Sequence, residues 1–154
     1  MRAIVLGGRV DGAHNGDMDA VLRVLLADDA AEIRQLLRLT LELDGRFEVV
    51  GEAEDGAQAI AMTSSQRPDV VILDVSMPIM DGLQAIPEIS RTSPATKIIV
   101  LSSHEDDTSD AALSLGADAY LVKGEATHET VIPRIIDLCD RALTRESSSL
   151  DSSL

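Results

Sequence analysis

The sequence predicts an α/β fold of five parallel strands alternating with five helices, a (βα)5 sheet wound on both faces. Three observations carry this. Five short aliphatic runs of strand length recur along the chain, each followed by apolar residues spaced as on one face of a helix. The run Val70-Val71-Ile72-Leu73 shows no alternation, which suits a strand covered on both sides, and it stops at Asp74 before a loop punctuated by Pro78 and Gly82. The 154 residues fit one domain of ordinary size with a real core.

Residues 1–20 read as a loosely held N-terminal extension. It contains a short strand-like run, Arg2-Ala3-Ile4-Val5-Leu6, and the pair Gly7-Gly8, but no Gly-Lys-Ser/Thr follows to complete a phosphate loop. The domain is placed at residues 21–145. Its first strand, Val24-Leu25-Leu26-Ala27, ends in Asp28-Asp29, and a helix follows with Ile33, Leu36, Leu37 and Leu41 at helical spacing. Asp29 could cap that helix, which would account for one carboxylate but not for two. Phe47 to Ala53 forms the second strand, and Asp55-Gly56 turns into a helix through Ala57, Ile60 and Ala61.

After the central strand, Asp81-Gly82 starts a third helix, which Pro87 should distort or split. Lys97-Ile98-Ile99-Val100-Leu101 is the fourth strand and stops at Ser102-Ser103-His104. Glu105-Asp106-Asp107 puts acid in the first turn of a fourth helix, which runs to Gly116. Asp118 to Val122 is the fifth strand, closed by Lys123-Gly124. The regular part of the last helix is expected from about Thr130, which would keep Pro133 in the first turn, and residues 146–154 are expected as a Ser-rich flexible tail. Right-handed crossovers leave few topologies, and known doubly wound sheets of this size supply the flavodoxin-like order 2-1-3-4-5.

Composition narrows the function classes. The net charge of −14 and the lack of a Lys/Arg cluster argue against direct nucleic-acid binding. Phe47 and Tyr120 are the only aromatics, so base-stacking platforms are not expected. No apolar run reaches membrane-spanning length, and the N-terminus is too short in apolar residues for a secretory signal. Cys139 stands alone, which excludes an internal disulfide or a multi-cysteine metal site, and a cytoplasmic location is expected. His14, His104 and His128 lack zinc-ligand spacing.

With strands 1 and 3 adjacent, Asp28, Asp29 and Asp74 meet at one sheet edge, where Ser102 and Lys123 also arrive. Ligands of open α/β sheets bind just past such strand ends. Three crowded carboxylates call for a hard divalent cation such as Mg²⁺, which takes oxygen ligands and leaves room for a phosphate oxygen. Asp74 could then attack phosphorus as a carboxylate nucleophile, with Lys123 as a second cation and Ser102 as a hydrogen-bond donor.

The chain from about Val21 to Leu143 resembles the receiver domain of two-component response regulators. The matching pieces are Leu26-Ala27-Asp28-Asp29, Ile72 through Asp74 to Asp81-Gly82, Ile99-Val100-Leu101-Ser102, and Gly116 through Tyr120 to Lys123. The resemblance implies that Asp74 takes a phosphoryl group from a sensor histidine kinase. It also implies Asp29 and Asp74 as direct Mg²⁺ ligands, Asp28 acting through water, and the Ser76 backbone carbonyl as a further ligand. Ser102 and Tyr120 match the switch pair of the family, and Ser76 and His104 match positions that tune hydrolysis of the phosphoryl group.

Gly124 stands where receivers commonly have a proline, as in receivers that precede helix-turn-helix output domains, so an ordinary trans turn is expected there. No output domain is expected after the last helix. The signal would then pass through the strand 4 to helix 5 face to a downstream protein, or the chain would serve as a phosphate sink or relay. The family also admits a homodimer, through the last two helices and strand 5. Beyond self-phosphorylation and self-dephosphorylation, a dedicated enzyme is not expected. A phosphatase working through an aspartyl phosphate would need an acid two residues after the nucleophile, and Ser76 stands there. A receiver-like scaffold that takes no phosphate is opposed by the complete acidic set.

Overall fold

The computed structural model describes residues 21–103 and 108–152, with side chains to residue 140. The expected strand at residues 2–6, His14, His104 and the acidic run 105–107 lie outside the described residues.

Five strands form one parallel sheet in the order β2-β1-β3-β4-β5. They are β1 (Leu22–Ala27), β2 (Phe47–Ala53), β3 (Val70–Asp74), β4 (Lys97–Ser102) and β5 (Ala119–Val122). The helices are α1 (Ala31–Asp44), α2 (Gly56–Gln66), α3 (Gly82–Thr92), α4 (Ser109–Leu115) and α5 (His128–Ser152). The order 2-1-3-4-5 agrees with expectation, and it puts β1 and β3 side by side with Ala27 opposite Leu73.

Alternate residues of the central strands feed two cores. Val24, Leu26, Val70, Ile72, Ile99 and Leu101 pack with Leu37 and Leu41 of α1 and Val131, Ile132, Ile135 and Leu138 of α5. Leu25, Val71, Leu73, Ile98 and Val100 pack on the opposite face with Ala59 of α2, Ala85, Ile86 and Ile89 of α3, and Ala112 of α4. Every residue of β3 is buried, which is why its sequence shows no alternation. Among the described residues no helix is long and apolar enough to cross a membrane.

Several helix boundaries differ from the sequence reading. The N-cap of α1 falls on Ala30 without any side-chain bond, so Asp29 does not cap that helix. Pro87 does not split α3, whose start is fixed by a capping box between Asp81 and Gln84 and whose buried Ala85, Ile86 and Ile89 hold it to the sheet. The described part of α4 begins at Ser109, after Thr108.

The start and end of α5 both move outward. Thr127 accepts from the Glu129 N–H at 3.3 Å, and its own N–H donates to Thr130 Oγ1 at 2.9 Å. This reciprocal cap fixes the helix start at His128 rather than Thr130, and it leaves Pro133 in the second turn. At the other end the helix continues to Ser152 where a flexible tail from residue 146 was expected. The sequence after Pro133 contains neither Gly nor Pro to stop it, and serine is only mildly unfavourable in a helix.

Candidate functional site

The carboxyl edge of the sheet gathers the predicted residues. Asp28 leaves the end of β1, and Asp74 is the last residue of β3; both are 1% exposed. Asp29 is exposed beside them, and each of the three carboxylates has an oxygen within 4.8 Å of the others. Lys123, just past β5, places its ammonium 3.3 Å from Asp28 Oδ2 and 3.2 Å from Asp74 Oδ2. One amine thus bridges two buried acids contributed by neighbouring strands.

Backbone groups hold the other two carboxylate oxygens. The Ala30 N–H donates to Asp28 Oδ1 at 2.9 Å, and the Ser76 N–H donates to Asp74 Oδ1 at 3.1 Å. Both acids therefore close short turns at their own strand ends, leaving Oδ2 of each pointed at the common space. These two Oδ2 atoms are buried and make no hydrogen bond; Lys123 meets them at ion-pair distance only. Buried carboxylate oxygens without hydrogen bonds are costly. That cost, the all-oxygen donor set and the excess of three negative charges over one positive fit a hard divalent cation such as Mg²⁺.

The electrostatics express the same strain. Burial pushes the Asp74 carboxyl up to about 6 from an ordinary 3.8; the Asp28 charge adds to the rise, while the Ser76 N–H and Lys123 oppose it. Burial works to lower the Lys123 pKa, but Asp74 and Asp28 outweigh it and hold the amine charged.

The β3–α3 loop comes down tightly on the site. The Gly82 N–H donates to the Val75 carbonyl at 3.0 Å, and a Cβ on Gly82 would collide with the Asp74 carbonyl oxygen. Ile79 turns this loop at φ +67°, an uncommon conformation for a β-branched residue, with the Met80 N–H reaching the Pro78 carbonyl at 2.6 Å.

Ser102 ends β4 and is buried, with its hydroxyl 2.8 Å from the Thr108 hydroxyl. Tyr120 is half-buried on β5, opposite Val100, and packs against the core on the α2–α4 side. Ser76 has an exposed side chain next to Asp74. The peptide bonds are trans throughout the described residues, and Lys123–Glu125 forms a single 3₁₀ turn.

Of the predicted set, then, Asp28, Asp29, Asp74 and Lys123 come together, with Ser76 bonded to Asp74 through its backbone. Ser102 and Tyr120 sit on the adjoining strands. Sequence reasoning missed the Thr108 partner of Ser102, the need for a bare α-carbon at Gly82, and Arg34, whose guanidinium donates to the Asp28 carbonyl at 2.6 Å. Only Gly82 had a sequence signal, a glycine right after the loop acid Asp81.

Comparison with known proteins agrees with this fold. Residues 24–132 match the response regulator receiver domain family. The chain is 40% identical over 125 residues to a protein-glutamate methylesterase/protein-glutamine glutaminase of Azospirillum brasilense, covering 79% of this chain and 31% of that protein. It is also 40% identical over 114 residues to the uncharacterized transcriptional regulatory protein YhcZ of Bacillus subtilis (strain 168), covering 73% of this chain and 53% of that one. The chain therefore spans about a third to a half of the length of these curated relatives. Among solved structures, the REC domain of AraT, a response regulator from Geobacillus stearothermophilus, superposes with a TM-score of 0.71 at 32% identity, covering 82% of this chain and 98% of that one. Matched over most of its length by fold and sequence, the chain belongs to the response regulator receiver domain family of two-component signalling.

Proposed function

We propose that the chain is a phosphorylation-controlled switch in which Asp74 accepts a phosphoryl group from the phosphohistidine of a sensor kinase. The observation that carries this is the bridging of Asp28 and Asp74 by Lys123 beside the exposed carboxylate of Asp29. In the transfer, Asp74 Oδ2, which Lys123 meets at 3.2 Å, attacks phosphorus. An O–P bond forms as the N–P bond breaks, and the electron pair leaves on the imidazole nitrogen. Bound Mg²⁺, held by Asp29, Asp74 and the Ser76 carbonyl with Asp28 acting through water, would neutralise charge on the phosphoryl oxygens.

The chain's own groups do the rest. Lys123 neutralises a second oxygen, and the bond of the Ser76 N–H to Oδ1 keeps the Asp74 carboxylate turned so that Oδ2 is presented. After transfer, the Ser102 hydroxyl exchanges its Thr108 partner for a phosphoryl oxygen, and Tyr120 moves into the space behind it. The β4–α5 face thereby changes and controls a downstream protein. Ser76 and His104 tune how long the phosphoryl group lasts.

The test is intact mass. Purified chain treated with acetyl phosphate and Mg²⁺ is expected to gain one phosphoryl group, and Asp74→Asn none. An unchanged wild-type mass would count decisively against the reading.

A further inference from the structure

We propose that Arg34 is a positioning residue of the acidic pocket: its guanidinium, clamped by Glu52, holds the Asp28 carbonyl and so fixes the Asp28-Asp29 turn for the cation. The inference rests on the Mg²⁺ reading given above.

Arg34 lies on the first turns of α1 and is only 12% exposed in its side chain. Its Nε donates to Glu52 Oε1 at 2.8 Å, while Nη1 donates to the Asp28 backbone carbonyl at 2.6 Å. Nη2 lies 3.8 Å from Glu54 Oε2. The planar guanidinium thus serves β2 with one edge and the β1–α1 turn with another, a geometry that a lysine ammonium cannot reproduce. Glu52 is itself fixed from the other side by Arg38, whose Nε and Nη2 both reach Oε2 at 2.8 Å. These arginines hold the Glu52 carboxyl below its ordinary range, Arg34 most strongly.

The consequence falls on the two acids that cannot be placed by the sheet alone. The Asp28 N–H is tied to the Ala53 carbonyl at 3.0 Å, and the Asp28 carbonyl is tied to Arg34. With both backbone groups of Asp28 held, the following peptide and the Asp29 side chain leave β1 in one direction. The Ala30 N–H bond to Asp28 Oδ1 closes this turn from within at 2.9 Å, and Arg34 fixes it from outside. Outer partners that orient metal ligands typically contribute ten- to a hundredfold in affinity.

A merely structural Arg34 would pin α1 to β2, a role that Arg38 shares through the same Glu52. The comparison of the two arginines is therefore the test. Mg²⁺ affinity is measured by calorimetric titration, and stability by urea unfolding in EDTA, on the full chain and on Arg34→Met, Arg34→Lys and Arg38→Met. The expected result is an affinity loss of about tenfold or more for both Arg34 variants and less than threefold for Arg38→Met, whatever their stabilities. Equal losses for Arg34→Met and Arg38→Met, or an Arg34→Lys that binds within twofold of wild type, would overturn the inference. If Arg34→Met fails to fold, Arg34→Lys against Arg38→Met decides. A wild-type chain that takes no Mg²⁺ overturns the cation reading itself, whereas a wild type that binds alongside unaffected Arg34 variants overturns only the role of Arg34.

Discussion

Replacing Asp74 by Asn should make the cation-free protein more stable, although it removes one partner of an ion pair. In the folded chain the Asp74 carboxyl titrates near 6 against an ordinary 3.8, chiefly because it is buried. The native state therefore holds the proton more tightly than the unfolded state, and stability from this group is fully present below about pH 3.8 and is lost as pH rises through 6. The raised value amounts to about 3 kcal/mol at pH 7.5, at roughly 1.4 kcal/mol per unit, and to about half that at pH 5. Asn has the shape of the protonated acid and can still accept from the Ser76 N–H, so Asp74→Asn should recover most of that difference. The assay is urea unfolding in EDTA at pH 7.5 and at pH 5. The variant is expected to be about 2–3 kcal/mol more stable than wild type at the higher pH, with a smaller gap at the lower. Adding Mg²⁺ should stabilise wild type and leave the variant nearly unmoved. An Asp74→Asn protein less stable than wild type at pH 7.5 without Mg²⁺ would refute the picture of a strained, cation-demanding pocket.

Thr108→Val removes one resting hydrogen bond of the Ser102 hydroxyl, 2.8 Å long. A neutral hydrogen bond contributes about 1 kcal/mol, so Mg²⁺-dependent beryllofluoride binding, which mimics the aspartyl phosphate, should tighten about fivefold; unchanged or weaker binding would remove Thr108 from the switch. Gly82→Ala drives a methyl group into the Asp74 carbonyl and should cost about 1–3 kcal/mol in urea unfolding as well as weakening Mg²⁺ binding; a neutral effect on both would mean the loop yields freely. Ile72→Ala, at a side chain 1% exposed in the centre of β3, should cost about 2–5 kcal/mol in urea, and a loss below 1 would contradict the close packing of the α1–α5 core.

The sheet was legible because burial on two sides writes itself into sequence. Val70 to Leu73 are all apolar since each faces one core or the other, and Asp74 breaks the run where the strand ends. Asp28, Asp29 and Lys123 were legible for a related reason, as charges stranded at the ends of aliphatic runs. What stayed hidden depends on contacts between distant segments or on small caps. Arg34 reads as one more polar residue of an amphipathic helix, and nothing in its neighbours announces a bond to a backbone carbonyl six residues earlier. The hydroxyl pair of Ser102 and Thr108 spans a loop whose path the sequence does not specify. The early start of α5 turns on the reciprocal bonds of Thr127 and Thr130, two residues that also suit an irregular loop.

Asp74, and no other acid of the cluster, is expected to carry the phosphoryl group. Reduction with borohydride converts an aspartyl phosphate to homoserine, which peptide mapping locates. After treatment with acetyl phosphate and Mg²⁺, homoserine is expected at position 74 alone, and none when EDTA is present. Homoserine at position 28 or 29, or at no position in a chain that has gained phosphoryl mass, would contradict it.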